Sequence, residues 1–428
     1  MTRGAGGRGA LAELVALHAL GWLVLGGAVG LWMATLLLVP EANRFLAPLG
    51  YGRWAALHLD LTLYGWLALP IVGALFGYFE VERQGGGEVA LGAWSGALVA
   101  GSVSWLAGRT SGKQFLDWTG PAALLFLAAQ LLLLGVLARA FWRRERSPAG
   151  AGKVAGRGEL VAAGFLMLAL AAVPASLAFA ESPGSYPPIN PESGGPTGPS
   201  LLGSTLGLVA ILLLVPRLAR VPRRPGGPGQ VLTLTLAAHF LFFLAIAGGD
   251  HSHLEAGQLI ELGSAALWAA LIPWDYSYFR WPAGAARWLA ATAAWGAALL
   301  VTGLWQFLPS VLPRAKFTHE LVAHAHLAMA GLASSFALLV LHLGLAGTRR
   351  AGLLGGRGGF WLWQGATAAM VAALGGLGAV EMADPAAFLR AGAEIESLLV
   401  LRWCAGLAML AQALRWWLAL AGGEPRDA

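Results

Sequence analysis

Three histidines fall within eight residues of an otherwise apolar stretch: His319, His324 and His326 in THELVAHAHLAMAG, residues 318–331. Imidazole is costly to place inside a membrane span, and a span that carries it is a functional site until shown otherwise. Its chemistry there is metal ligation through one ring nitrogen. The spacing adds a constraint. Residues two apart on a helix point about 200° from each other, so His324 and His326 face opposite flanks. One helix can therefore offer a ligand to each of two cofactors.

Two further stretches carry chemistry of the same kind. WAALHLDLTLYGW (54–66) sets His58 and Asp60 in an apolar run, and AGGDHSHLEAG (247–257) brings together Asp250, His251, His253 and Glu255. Imidazole and carboxylate together suit iron, so Asp250, His251 and His253 are candidate ligands of an iron or copper ion. His239, His319 and Glu255 are candidates to complete that set. A polar connection at a membrane surface tolerates histidine cheaply, so solvated loop residues remain an even alternative for His251 and His253. His18 and His342 stand apart from these groups and read as packing histidines. Arg402, inside an apolar run, requires an anion if buried. That anion is either an acidic cofactor substituent or one of Glu381, Glu394 and Glu396. Asp60 serves either a hydrogen-bonded proton path or a bond to a neighbouring helix.

These residues need long apolar elements to hold them, and the chain supplies them. Of 428 residues, 57% are hydrophobic and 12% charged, half the charged share of a soluble domain. Nineteen tryptophans suit the aromatic belts of membrane interfaces. Apolar runs of about 20 residues predict an all-α integral membrane protein, 1–428, a single polytopic domain. Twelve transmembrane helices are expected near 13–40, 53–79, 88–108, 119–142, 158–180, 200–217, 230–249, 257–279, 286–308, 317–346, 359–382 and 395–421. With the N-terminus cytoplasmic, the inner loops collect the arginine runs 139–146, 217–224, 280–287 and 349–357. The outer loops keep few positive charges, and the Pro/Gly-rich connection 181–200 has none. That is the positive-inside pattern, with both termini cytoplasmic in a bacterial-type inner membrane. The N-terminal segment lacks a small-residue cleavage site and reads as the first helix. No nucleic-acid motif is present, and no 20–50-residue period repeats. Cys404 is the single cysteine, so the chain has no Cys-x-x-Cys-His motif for haem c.

Read with that topology, His58 lies about six residues, or roughly 9 Å, below the outer end of the second helix. His324 and His326 lie at comparable depth in the tenth.

The layout resembles the catalytic subunit of the haem-copper oxidase superfamily, subunit I, and in motif the cytochrome-dependent nitric oxide reductases. WAALHLDLTLYGW looks like the second-helix segment that carries one axial ligand of the low-spin haem. ELVAHAHLAMAG (320–331) is similar to the tenth-helix His-x-His motif, and AGGDHSHLEAG with LGSAALWAALIPW (262–274) to the passage that supplies ligands to the non-haem metal. The resemblance implies two haems, b-type. His58 and His326 would clamp the low-spin one, and His324 would be proximal to the high-spin one. It further implies propionates near Arg402, and a non-haem iron or copper held by His251, His253 and Asp250 with His239. A bis-imidazole haem only passes electrons, whereas a haem with one imidazole leaves a face open to a diatomic ligand. A cytochrome c-type or cupredoxin-like partner would supply electrons for respiratory transport.

The departures shape the expected activity. Residues 200–217 contain no histidine, glutamate or tyrosine, the seventh helix offers no tyrosine, and the family's adjacent His-His pair is here His251-Ser252-His253. The resemblance therefore implies reduction of NO more readily than of O2, since coupling two NO to N2O takes two electrons and no tyrosine radical. Two alternatives stand beside it. One is a non-catalytic haem-binding electron-transfer subunit of the same fold. The other is a haem-free transporter or metal-handling membrane protein.

Overall fold

The structure is a computed structural model that describes residues 9–46, 48–146, 157–180, 198–246, 260, 263–390 and 392–422. Each of the twelve apolar segments contains a helix: α1 Ala10–Leu38, α2 Tyr51–Tyr78, α3 Gly87–Leu106, α4 Gly120–Arg146, α5 Arg157–Ala180 and α6 Gly198–Leu218. They continue as α7 Gly229–Ile246, α8 Leu267–Tyr276, α9 Ala286–Gln306, α10 His319–Leu345, α11 Arg357–Ala383 and α12 Ala393–Ala421. Eight of them, α1–α4 and α9–α12, are long and apolar enough to cross a membrane. The protein is thus a multi-pass membrane protein. The expected count of twelve crossings is met at eight segments. Of the rest, α5, α6 and α7 carry apolar stretches at Ala163–Pro174, Gly203–Leu218 and Gly229–Ala245 among the described residues. Pro174, Pro216 and Pro273 lie inside α5, α6 and α8, where each removes a backbone donor.

Five helices close a ring. α1 packs on α2 and α12, α12 on α11, α11 on α10, and α10 returns to α2. Small residues set these approaches, as in membrane bundles generally. A Cβ on Gly65 would come within 2.7 Å of Trp22, and one on Gly378 would overlap the backbone of Glu320. Outside the ring, α9 lies along α10, where Gly331 admits the Trp295 indole. Apolar side chains such as Val103, Leu124 and Val301 point outward, as a lipid solvent allows.

The helices that carry His58 and His326 each contain a π segment. In α2 it spans Leu61–Leu67 and in α10 Leu327–Ala333, each just beyond a histidine. The wider turn changes which carbonyls are satisfied within the helix, and side chains take part. Trp94 donates to the Tyr64 carbonyl at 2.9 Å, and Ser334 Oγ to the Met329 carbonyl at 2.7 Å. Trp66, fully buried, then donates to Ser334 Oγ at 2.8 Å, tying the two π segments together.

Asp275 fastens the α6–α8 side. Fully buried, it receives both Arg217 nitrogens at 2.8 Å and Arg223 at 2.9 Å. Two guanidinium groups satisfy the carboxylate, as a buried charge requires.

Candidate functional site

The start of α10 follows from its caps. The first turn of a helix leaves backbone donors without partners. Thr318 Oγ1 accepts from Glu320 N at 3.2 Å, and Glu381, on α11, accepts from His319 N at 2.6 Å. Glu381 also meets the His319 ring at 2.8 Å. His319 is therefore held by Glu381 at the helix mouth through both its backbone and its ring, and α10 is locked to α11 at a fixed height.

From that start, His326 lies seven residues along α10, as His58 lies seven residues after Tyr51 in α2. The matched depth expected from the sequence brings the two rings together. Their centroids are 6.5 Å apart and their planes within 23°, inside the five-helix ring. A metal ion bonded to two imidazoles at about 2 Å each would set the centroids roughly 6 Å apart. His58 Nδ1 lies 2.9 Å from the Gly26 carbonyl and His326 Nδ1 2.9 Å from the Val322 carbonyl. A carbonyl oxygen only accepts, so each Nδ1 carries the proton and each Nε2 is bare. Metal-ligating histidines are held in this manner.

Both rings border a cavity of about 340 Å³ walled by all five helices of the ring. Two of its α1 lining residues, Gly27 and Gly30, are glycine, and a Cβ on Gly30 would stand 2.7 Å from His58 Cε1. Arg402, on α12, lines the same cavity, is 5% exposed, and its Nη1 has no hydrogen-bond partner among the described residues. The rival salt bridges do not form: Glu381 is taken by His319, while Glu394 and Glu396 are exposed at the start of α12. An uncompensated buried charge costs about 3–5 kcal/mol. The donor set and the Arg402 guanidinium fit a metal-bearing group with an acidic substituent and two histidine ligands.

The loop 107–119 covers one side of the cavity through Gln114 and Phe115. Phe115 has φ +65°, unfavourable for a bulky residue. Bonds around it hold it there: Tyr64 Oη donates to the Phe115 carbonyl at 2.6 Å, and Trp105 Nε1 to the Asp117 carbonyl at 2.8 Å. Asp60, fully buried, neighbours Asp117, whose carboxyl burial pushes above the usual carboxylate range.

His324 faces the other flank, as the spacing requires. Its Nδ1 lies 2.9 Å from Thr302 Oγ1 on α9. His239 is buried beside α8, where Trp268 Nε1 donates to its Nδ1 at 3.1 Å and its Nε2 meets Ser264 Oγ at 2.9 Å. Both His239 nitrogens are thus engaged by protein. His251, His253, Asp250 and Glu255 lie outside the described residues. Among the described residues no group of three His, Cys, Asp or Glu side chains is arranged to hold a metal ion. His18 meets Ser95 Oγ at 2.7 Å, in keeping with packing, whereas His342 Nδ1 is buried without a hydrogen-bond partner among the described residues.

Four participants were not singled out from the sequence. Gly30 and Thr302 carry no motif. Asp117 stands in an unremarkable loop. The Trp66–Ser334 tie joins residues far apart in the chain; only Trp66, within the second-helix stretch, lay near a recognised signal.

No protein-family profile and no curated protein matches this chain. Among solved structures, a haem-copper terminal oxidase, determined by cryo-electron microscopy as a dimer, is similar with a TM-score of 0.58 and 14% identity. The match covers 96% of this chain and 84% of that one. At that identity the likeness establishes the fold: an all-helical membrane bundle with the architecture of a haem-copper terminal oxidase.

Proposed function

We propose that the protein is a haem-containing oxidoreductase of the haem-copper type, with twelve spans in a bacterial-type cytoplasmic membrane and both termini inside. The observation that carries this reading is the His58–His326 pair, with both Nδ1 protons donated to backbone carbonyls beside buried Arg402, whose Nη1 has no hydrogen-bond partner among the described residues. His58 and His326 hold a low-spin haem, and Arg402 neutralises a propionate. His324 is the proximal ligand of a high-spin haem on the opposite flank. Bound there, the first haem passes electrons and the second leaves a face open to a diatomic, NO in preference to O2. His251, His253 and Asp250, with His239 as a further candidate, are the residues for a non-haem iron or copper. An electron donor of the cytochrome c or cupredoxin type completes the system.

The engagement of both His239 nitrogens and the absence of a ligand type from 200–217 favour a second reading, an electron-transfer subunit without the non-haem metal. Haem and metal stoichiometry of the purified protein separates the readings. Two haems and one iron or copper, with turnover of NO to N2O, are the expected result. Two haems without the extra metal establish the electron-transfer reading. A folded, haem-supplied preparation without haem overturns both and leaves a transporter or metal-handling role.

A further inference from the structure

The described candidate ligands His58, His326, His239 and His324 are fixed in different ways, and the difference singles out one residue of α9. At His58 and His326 the Nδ1 partner is a backbone carbonyl. His239 accepts at Nδ1 from Trp268, which leaves the proton on Nε2, directed to Ser264. At His324 the partner is a side-chain hydroxyl, which in principle either donates or accepts.

The surroundings of Thr302 decide between these. Its Oγ1 lies 2.9 Å from the Ala298 carbonyl and 3.2 Å from that of Leu299. Both are acceptors only, so the hydroxyl hydrogen has a destination on its own helix. The oxygen lone pair is then left for His324 Nδ1–H at 2.9 Å. Nε2 is bare, the same tautomer that the carbonyls impose on His58 and His326. The next residue supports the arrangement: Gly303 lets α9 close in, since a Cβ there would stand 3.3 Å from His324 Cε1.

We propose that Thr302 is a positioning residue that fixes the His324 imidazole with Nε2 free and raises its strength as a ligand. The inference rests on His324 binding a haem, as proposed above. An acceptor at Nδ1 raises the basicity of the other ring nitrogen, so Thr302 strengthens the iron–imidazole bond on this flank. Because the acceptor is a side chain, this bond can be removed without altering the backbone.

The test uses the haem-loaded, full-length protein in detergent with Thr302→Val, Thr302→Ala and Thr302→Ser. Resonance Raman of the ferrous protein reads the iron–histidine stretching band of the high-spin haem, and the optical band of the bis-histidine haem is the internal control. In Thr302→Val that stretching band moves to lower wavenumber, or the high-spin haem is lost, while the low-spin band stays at full intensity. Thr302→Ser restores the wild-type position and Thr302→Ala does not. If Thr302→Val loses both haems, the Ser and Ala pair decides, because it differs in the hydroxyl alone. A wild-type stretching band in haem-replete Thr302→Val or Thr302→Ala overturns the proposal. A wild type with the low-spin haem but no histidine-bound high-spin haem removes His324 as a ligand and this inference with it. A wild type with neither haem removes the haem reading as a whole.

Discussion

His326 and His324 stand on opposite flanks of α10, and the protein secures them by different means. The His326 flank belongs to a closed ring of five helices, with Gly27 and Gly30 on α1 and an arginine on α12. Its imidazole and that of His58 are each held by a backbone carbonyl, a partner that no single side-chain substitution deletes. The His324 flank rests on one neighbouring helix and one side-chain hydroxyl. Two residues of sequence therefore separate a site built into the backbone from one held by a replaceable group. Such a division suits a fixed electron-transfer position on one flank and an adjustable ligand on the other.

The largest expected effect breaks the two flanks apart. His326→Ala or His58→Ala abolishes the low-spin haem band, since a bis-imidazole site cannot form from one ligand. His324→Ala leaves that band in place and removes the high-spin haem. Pyridine haemochrome and optical spectra of the purified variants read both. Equal loss from all three substitutions would sink the assignment of the ligands to separate flanks.

A smaller effect tests the two glycines of α1. Gly30 and Gly27 both line the cavity, but their added Cβ atoms would meet different surroundings. At Gly30 it falls 2.7 Å from His58 Cε1, whereas at Gly27 the nearest atom is Leu410 Cδ1 at 3.5 Å. Overpacking costs about 1–3 kcal/mol, or roughly 5- to 150-fold in affinity. Gly30→Ala therefore weakens haem retention by that order, and Gly27→Ala leaves it near wild type. Comparable haem loss from the two would show that His58 is not held by this contact.

Arg402→Met has effects of opposite sign in the two states of the protein. Without haem the variant removes a buried, unpartnered charge, so the haem-free protein melts at a higher temperature than wild type. With haem it removes a charge-assisted bond of about 1.5–3 kcal/mol, so haem affinity falls by roughly 10- to 150-fold. Thermal unfolding of the haem-free form and haem titration give the two signs. A variant less stable without haem and unchanged in haem affinity would mean that Arg402 serves packing alone.

Much of the His326 flank was legible in the sequence, for definite reasons. The two-residue spacing of His324 and His326 fixed their opposite directions, because helical geometry leaves no alternative. Counting inward from the helix ends gave His58 and His326 matched depth, and they now lie 6.5 Å apart. Arg402 could be assigned to the interior from the cost of its charge, but its choice between an acid and a cofactor depended on where Glu381 points. That carboxylate caps α10 and binds His319, a tertiary fact. The π segments, the Trp66–Ser334 tie and the Thr302 hydroxyl were not legible, because each depends on helices meeting far apart in the chain. Hydropathy marked twelve apolar segments, each of which contains a helix, and among the described residues eight of those helices are long and apolar enough to cross a membrane.

The smallest expected effect asks whether the loop 107–119 belongs to the His326 flank. Asp117 lies in this loop, 5% exposed and next to Asp60, with its carboxyl raised above the usual range by burial. A folded-state pKa above the unfolded value means that the folded protein binds this proton more tightly. Stability from the group is then fully present below the unfolded value, about 3.9, and is lost as pH rises through the folded one. Asparagine keeps the shape of the protonated acid and has no charge to desolvate. Asp117→Asn should therefore raise the melting temperature more at about pH 8 than at about pH 4. Because Gln114 and Phe115 of the same loop line the cavity, the low-spin haem should also become less readily extracted at high pH, with the high-spin haem unaffected. An equal shift in melting temperature at both pH values would remove the buried proton from the account. A change confined to the high-spin haem would assign the loop to the wrong flank.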